Sequence, residues 1–426
     1  MFQPVLAVRW ISLLAGCLLV SAVSMPLMAQ EPASASTWPQ WRGPARDGVS
    51  PGADWPASLN EQHLKLLWRV ELNEGYPGPI VAEDRVFVAE TKDEKQEIVR
   101  ALDRRSGAEL WQAKWDGSLS VPFFASSNGD WIRSTPAYDG ESLYVAGMRD
   151  VLVCLNAATG KERWRVDFVE RYQADLPAFG FVCSPLVDGD FVYVQAGSGL
   201  VKLNKHTGES TWRVLHDEGG MMGSAFSSPN LAVVAGRRQL LVQTRTTLAG
   251  VDPEDGKVLW SRDIAAFRGM NIITPAAQGD TILTSAYGGK TTLIRVKEEG
   301  SQLVQSTEWE EKSQGYMSSP VFIDGHAYLH LRNQRFACFD LASGKKQWST
   351  RPYGQYCSLV ARGDKILALD ERGELLLIHA NPAEFELLDQ RKISEQPAWG
   401  HLAVAGGEVF VRELQAIAAY RWKHAE

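Results

Sequence analysis

"CLNAATGKERW", Cys154 to Trp164, returns four more times along the chain with little but its polar letters changed. It is "ALDRRSGAELW" at 101–111, "KLNKHTGESTW" at 202–212, "GVDPEDGKVLW" at 250–260 and "CFDLASGKKQW" at 338–348. The shared form is an apolar residue, Asp or Asn, a short polar stretch, Gly, three further positions and Trp. In a chain of 426 residues an internal repeat decides the architecture before any single residue does. The Gly can take positive φ without a steric cost, which suits a tight turn. The Asp or Asn side chain can accept from backbone N–H groups of that same turn.

Outward from each copy lie further strands. Upstream are the opening segments "STPAYDGESLYV" (134–145), "CSPLVDGDFVYV" (183–194), "SSPNLAVVAGRRQLLV" (227–242) and "SSPVFIDGHAYLH" (318–330). Degenerate copies open at 273–284, 357–369 and 401–411, and the first at 77–89. Each unit spells an alternating apolar run, a tight turn often built on Asp-Gly or Gly-Asp, a second run, a turn, a third run and a fourth that ends on Trp. No stretch of useful length has a helical period. Four short antiparallel strands repeated in this way are the pattern of a propeller blade.

Eight opening segments predict an all-β, eight-bladed β-propeller of four-stranded antiparallel blades. The last copy (401–422) stops after its third strand, "AIAAYRW". "LKLLWRV" (64–70) supplies the missing fourth, so an N-terminal strand is expected to pair into the C-terminal blade and close the ring. Closure removes exposed sheet edges. Trp68, Trp111, Trp164, Trp212, Trp260, Trp309 and Trp348 are then expected to be structural. Each docks its large apolar face between neighbouring blades and gives its indole N–H to a turn carbonyl.

The rest of the chain divides around this ring. Residues 1–29 read as a secretory signal peptide: Arg9, an apolar run, and small residues before a cleavage expected after Ala29. "LAGC" (Leu14 to Cys17) offers a second reading, lipidation at Cys17, and an uncleaved anchor is a third. Residues 30–63 form a Trp-, Pro- and Gly-rich lead-in packed on the propeller, 64–422 the propeller, and 423–426 a tail. A formal net charge of −7 argues against a nucleic-acid partner and leaves no polybasic surface for anionic lipid. Membrane association is therefore expected only through Cys17 or an uncleaved leader. The expected location is periplasmic or extracellular.

The repeats resemble the pyrrolo-quinoline quinone (PQQ)-like propeller family. Its Trp-docking pattern is matched at the five segments quoted above, and the resemblance covers about residues 38 to 422. The resemblance implies the fold and leaves activity open. Family members include quinoprotein dehydrogenases and a non-enzymatic lipoprotein that assists outer-membrane protein assembly. The dehydrogenases use an adjacent Cys-Cys disulfide, a Ca2+ held by Glu, Asn and Asp, and a catalytic Asp. No two Cys are adjacent here, and no such triad is recognisable. Cys154, Cys183, Cys338 and Cys357 occupy equivalent positions four blades apart in pairs, and are expected to be free thiols packed as small hydrophobes. No cofactor or metal is expected; PQQ with Ca2+ belongs only to the alternative, an oxidoreductase acting on alcohols or sugars.

Propellers usually bind at a mouth of the central channel. The residues preceding each opening segment are the candidates: Tyr76, Arg133, Phe181, Phe226, Asn271, Tyr316, Tyr356 and Trp399, with Arg268 nearby. Six of these eight are aromatic and suit a protein, peptide or glycan partner. The long connections after Trp111 and Trp164 place the working face at blades one to three. Deleting 116–129 is expected to spare folding and remove binding. "TWPQWRGPARDGVSP" (37–51) is expected to cover the first or last blade, with Arg42 and Arg46 paired locally. Removal of 37–56 is expected to lower stability and leave any channel ligand in place.

Overall fold

Each predicted copy of the repeat forms one sheet. In the computed structural model, which describes residues 1–2, 36–217 and 223–423, eight four-stranded antiparallel sheets follow one another along the chain. The expected signal peptide, with Ala29 and Cys17, the start of the expected lead-in and the end of the tail fall mainly on residues 3–35 and 424–426, outside the described residues. Blade 1 comprises Ile80–Val81, Arg85–Lys92, Gln96–Asp103 and Glu109–Asp116. Six more blades follow in the same order, their fourth strands ending at Asp167, Val214, Asp263, Glu311, Pro352 and Lys392. The first strands of neighbouring blades lie against one another, so they form the innermost layer around the channel.

Blade 8 is completed as the sequence predicts. Leu64–Glu71 pairs antiparallel with Ala416–Trp422, from Leu64 opposite Trp422 to Glu71 opposite Ala416, with a register shift between Leu66 and Trp68. Blade 1 is then locked to blade 8 by Arg104. Its Nε meets Glu408 Oε2 at 2.7 Å, and its Nη groups donate to Ala405 O (3.1 Å) and Ala82 O (2.8 Å).

The Trp motif works across blade boundaries. Trp68, Trp111, Trp164, Trp212, Trp309 and Trp348 each donate Nε1 to a turn carbonyl of the next blade: Arg104, Ala157, Lys205, Glu254, Leu341 and Asn381, at 2.9–3.1 Å. The turn glycine explains itself twice. Gly160 has φ +72°, and a Cβ there would stand 2.5 Å from the Trp111 ring. Its turn is fastened by Asn156 Oδ1, which accepts from the N–H groups of Ala158 and Thr159. Trp260 departs from the expected pattern. Blade 5 replaces the motif turn by a long hairpin, Thr291–Glu299 and Gln302–Glu311, so no such carbonyl is presented. Trp260 Nε1 instead donates to Gln239 Oε1 in its own blade, at 2.6 Å.

The Ser and Thr residues of the opening segments join the innermost layer. Gly78 N donates to Thr135 Oγ1, Ser184 N to Ser228 Oγ, Ser228 N to Thr274 Oγ1 and Thr274 N to Ser319 Oγ, each bond bridging adjacent blades. Buried backbone donors near a channel need such partners. The four cysteines Cys154, Cys183, Cys338 and Cys357 are free and buried.

The lead-in covers blades 1 and 8 as expected, with Trp38 and Trp55 in their core and Trp55 stacked on Trp422, but its course goes further. It crosses the channel. Trp38 exchanges two backbone hydrogen bonds with Val81 of blade 1, Pro39 O accepts from Tyr138 N of blade 2, and Ser50 N donates to Ala361 O of blade 7. Arg42 donates to Pro320 O beside blade 6 and to Asp47 O; Arg46 donates to Pro185 O (2.7 Å) and Ser184 O (3.1 Å) at blade 3. Both guanidinium groups are buried, at 1% exposure. Their local pairing is thus only part of their role: the chief partners are carbonyls of distant blades. The reason is geometric. The innermost strands end in carbonyls that face a central space, and two long cations on a glycine-bearing turn reach both sides of it.

Candidate functional site

The lead-in closes the channel beneath one mouth and leaves a cavity above it. This cavity is open to solvent and spans about 1130 Å³ with its opening included, and its lining draws on the approach to every blade. Tyr76, Arg133, Phe226, Tyr316, Tyr356 and Trp399 all line it, as the sequence reading expects of residues preceding the innermost strands. Tyr356 and Trp399 stack at 5.7 Å with 6° between ring planes, and Trp399 lies 6.0 Å from Tyr76. Arg133 sits over the Tyr76 ring at 5.7 Å.

Three expected site residues lie elsewhere. Phe181 is buried in the seam of blades 2 and 3, against Phe168 at 6.0 Å. Asn271 is buried and stitches backbone, its Nδ2 donating to Arg245 O (2.9 Å) and Ile264 O (3.1 Å). Arg268 stands on an exposed turn with φ +52°, its guanidinium over Phe267. In their place the cavity gains Phe179, Met270 and Met317, each within two residues of a chosen or neighbouring position. Trp41 and His401 also line it. Trp41 belongs to the lead-in, so that segment is part of the site and not only of the scaffold. Nothing local in the sequence distinguishes Trp41 from Trp38, which is buried.

The electrostatics favour a neutral, apolar floor. Burial pulls His401 down to about 3, and Arg42 adds to this, so the imidazole is neutral at physiological pH. Its ring lies edge-on to Trp41 at 6.0 Å. Burial pushes the Tyr76 hydroxyl up to about 12 against the opposing charge of Arg133. Burial likewise pulls the Arg133 guanidinium below its ordinary range, and its Nε has no partner among the described residues.

Among the described residues the lining holds no Asp, Glu or Cys. Among the described residues no group of three or more His, Cys, Asp and Glu is placed to hold a metal. This donor set does not fit a calcium-bound quinone, since Ca2+ requires several oxygen ligands with carboxylates among them.

Around the mouth, the long loop after blade 1 divides in two. Val121 and Ala125 are buried against Met148, with Leu119 and Phe179 beside them. Phe123 and Phe124 point outward, at 89% and 53% exposure. Deleting 116–129 would therefore uncover Met148 as well as remove the exposed rings, and point substitutions are the cleaner probe.

The turn carrying Met148 is held from both sides by buried carboxylates. Glu97 accepts from Met148 N and Trp115 Nε1, both at 2.6 Å; Asp150 accepts from Gly197 N at 2.7 Å. Burial pushes both acids up to about 7, with those hydrogen bonds opposing; Arg165 also opposes at Glu97, and Asp167 adds to the rise at Asp150. The folded protein then keeps protons that the unfolded chain releases near about pH 4, so stability falls as pH rises from about 4 to about 7 and levels off above. Glu97→Gln is expected to flatten that slope. Urea midpoints at about pH 5 and about pH 8 test it; an unchanged difference between the two would show that Glu97 is not the titrating group.

The fold and the cavity together define an eight-bladed propeller of the PQQ-like repeat type, with an aromatic pocket closed at one end by its own lead-in. A family model described as outer membrane protein assembly factor BamB matches residues 94–350, and the chain belongs to that family. It is similar to outer membrane protein assembly factor BamB of Moranella endobia (strain PCIT), 24% identical over 306 residues, covering 71% of this chain and 64% of that relative's length. The crystal structure of BamB from Moraxella catarrhalis superposes with a TM-score of 0.61 at 15% identity, over 85% of this chain and 99% of that one. A europium-containing methanol dehydrogenase superposes equally well, with a TM-score of 0.62 at 15% identity over 89% and 90% of the two chains. At such identities the likeness speaks for the fold alone. No helix among the described residues is long and apolar enough to cross a membrane.

Proposed function

We propose that this chain is an exported, non-catalytic scaffold that holds a partner protein at the aromatic mouth of its propeller. The role is of the kind named for its BamB relatives, outer membrane protein assembly. The observation that carries the reading is the site's composition: rings from several blades line a cavity with no carboxylate among the described residues, and Phe123 and Phe124 stand exposed on a loop that buries Val121 and Ala125. Exposed aromatic groups beside an apolar pocket are the usual anchors of protein recognition.

A photo-crosslinking residue tests this. Placed at Phe124 in cells, it is expected to give a discrete protein adduct. Placed at Val233, exposed at the first hairpin of blade 4, it is expected to give none. Adducts of equal yield from both positions would remove the mouth as the working face. Stoichiometric binding of PQQ with Ca2+, with dye reduction on alcohols or sugars, would replace the reading by an oxidoreductase.

A further inference from the structure

The mouth is not uniform in charge. Between blades 4 and 6 the aromatic lining continues outward as a ridge, from Tyr316 in the cavity to Tyr287 at 5.2 Å and on to the exposed Phe267 at 5.3 Å. Cations stand along this ridge. Arg332 lies over the Tyr287 ring at 4.3 Å, and Arg268 over Phe267 at 5.1 Å. Lys312 and Arg332 share an open hollow of about 670 Å³ with Gln314. Gln314 Oε1 takes hydrogen bonds from Arg332 Nη1 (3.3 Å) and Gly288 N (3.1 Å), which fixes the floor.

Arg268, Lys312 and Arg332 are all exposed, and none of them forms an ion pair among the described residues. The carboxylates beside them are already engaged: Glu310 by Lys290 and Arg262, Glu311 by Lys346. In a chain of net charge −7, three unmatched cations on one aromatic ridge are a local reversal of sign. Rings paired with uncompensated cations select for a partner that brings both an apolar side chain and carboxylates.

Resting on the mouth as the partner site, we propose that the segment bound there is an acidic, aromatic-bearing stretch of the partner protein. Its ring enters the cavity beside Tyr316, and its flanking Asp or Glu side chains pair with Arg332, Lys312 and Arg268. Rim pairs of this kind act mainly on association rate and specificity, while the buried ring supplies most of the affinity.

Fluorescence anisotropy with short labelled peptides tests this. One peptide carries Trp and Phe flanked by Asp and Glu. A second has Asn and Gln in place of the acids, a third has Lys, and a fourth keeps the acids and has Ala in place of the rings. The first is expected to bind best, with an affinity that falls as salt is raised. The double variant Arg332→Glu with Lys312→Glu, both at exposed positions, is expected to weaken it at least about tenfold and to prefer the Lys peptide. Equal binding of the neutral peptide overturns the acidic inference and leaves the mouth as a partner site. Equal binding of the peptide without rings reduces the ridge to plain attraction for polyanions and also overturns it. If no peptide binds while the Phe124 crosslink persists, the inference falls alone; if the crosslink is absent too, both readings fall.

Discussion

Deletion of residues 36–51 is expected to destabilise the propeller by about 5 kcal/mol or more and to abolish binding at the mouth. The stability loss sums two effects. Trp38 is 1% exposed and packs within the apolar core of blades 1, 7 and 8, where loss of a Trp side chain typically costs about 3 to 5 kcal/mol. Arg42 and Arg46 also serve carbonyls of Pro320, Pro185 and Ser184, and each charged hydrogen bond of this kind contributes about 1.5 to 3 kcal/mol. The binding loss has a separate cause, because Trp41 lines the cavity. Trp41→Ala separates the two: it is only half-buried, so its urea midpoint is expected to move little while peptide affinity falls. A deletion variant that unfolds at the wild-type midpoint would show that the channel crossing contributes nothing. The stability loss agrees with the expectation drawn from the sequence for removal of 37–56; the loss of binding reverses the part of it that spared the ligand.

The second large effect is at the ring closure. Trp68→Ala is expected to cost about 3 to 5 kcal/mol. The Trp68 ring packs on Gly107, whose added Cβ would lie 2.9 Å away, and stands 6.1 Å from Phe410; its Nε1 donates to Arg104 O. The same residue thus supports the strand that closes blade 8 and orients the Arg104 that pairs with Glu408 across the closing seam. Trp164→Ala, at a boundary joined by continuous chain on both sides, is the control. Its ring is half-buried, and its loss is expected to cost less. Urea midpoints give the magnitude, and protease cleavage within 51–63 gives the location. Faster cleavage in the Trp68 variant than in the Trp164 variant is expected, since release of Leu64–Glu71 frees the segment before it. Equal cleavage in the two would mean that the closing strand is held by the rest of blade 8 and not by this Trp.

What was legible in the sequence was local or periodic. The Asp or Asn, the Gly and the Trp of each repeat specify a turn and an outward ring at fixed spacing, and the three-stranded blade at 401–422 demands a partner strand that only "LKLLWRV" supplies. Blade number, closure and the role of six docking Trp follow from that pattern because each is set by short-range turn chemistry and by the need to cover sheet edges. Trp260 escapes it for a reason residing in another blade, where a long hairpin stands in place of the receiving turn. The site was legible only in outline. Positions preceding the innermost strands reach the mouth by topology, which brings Tyr76, Arg133 and Trp399 to the cavity lining. Phe181 and Asn271 have the same sequence context, yet one turns into a seam and the other onto backbone. Whether a ring faces the channel or the seam depends on the course of loops of unequal length, and no local period encodes that. The tertiary structure alone decides that the lead-in crosses the channel. Its anchors are carbonyls of blades 3 and 6, brought to face each other only when the ring has closed, so Trp41 becomes the floor of a pocket whose walls come from every blade.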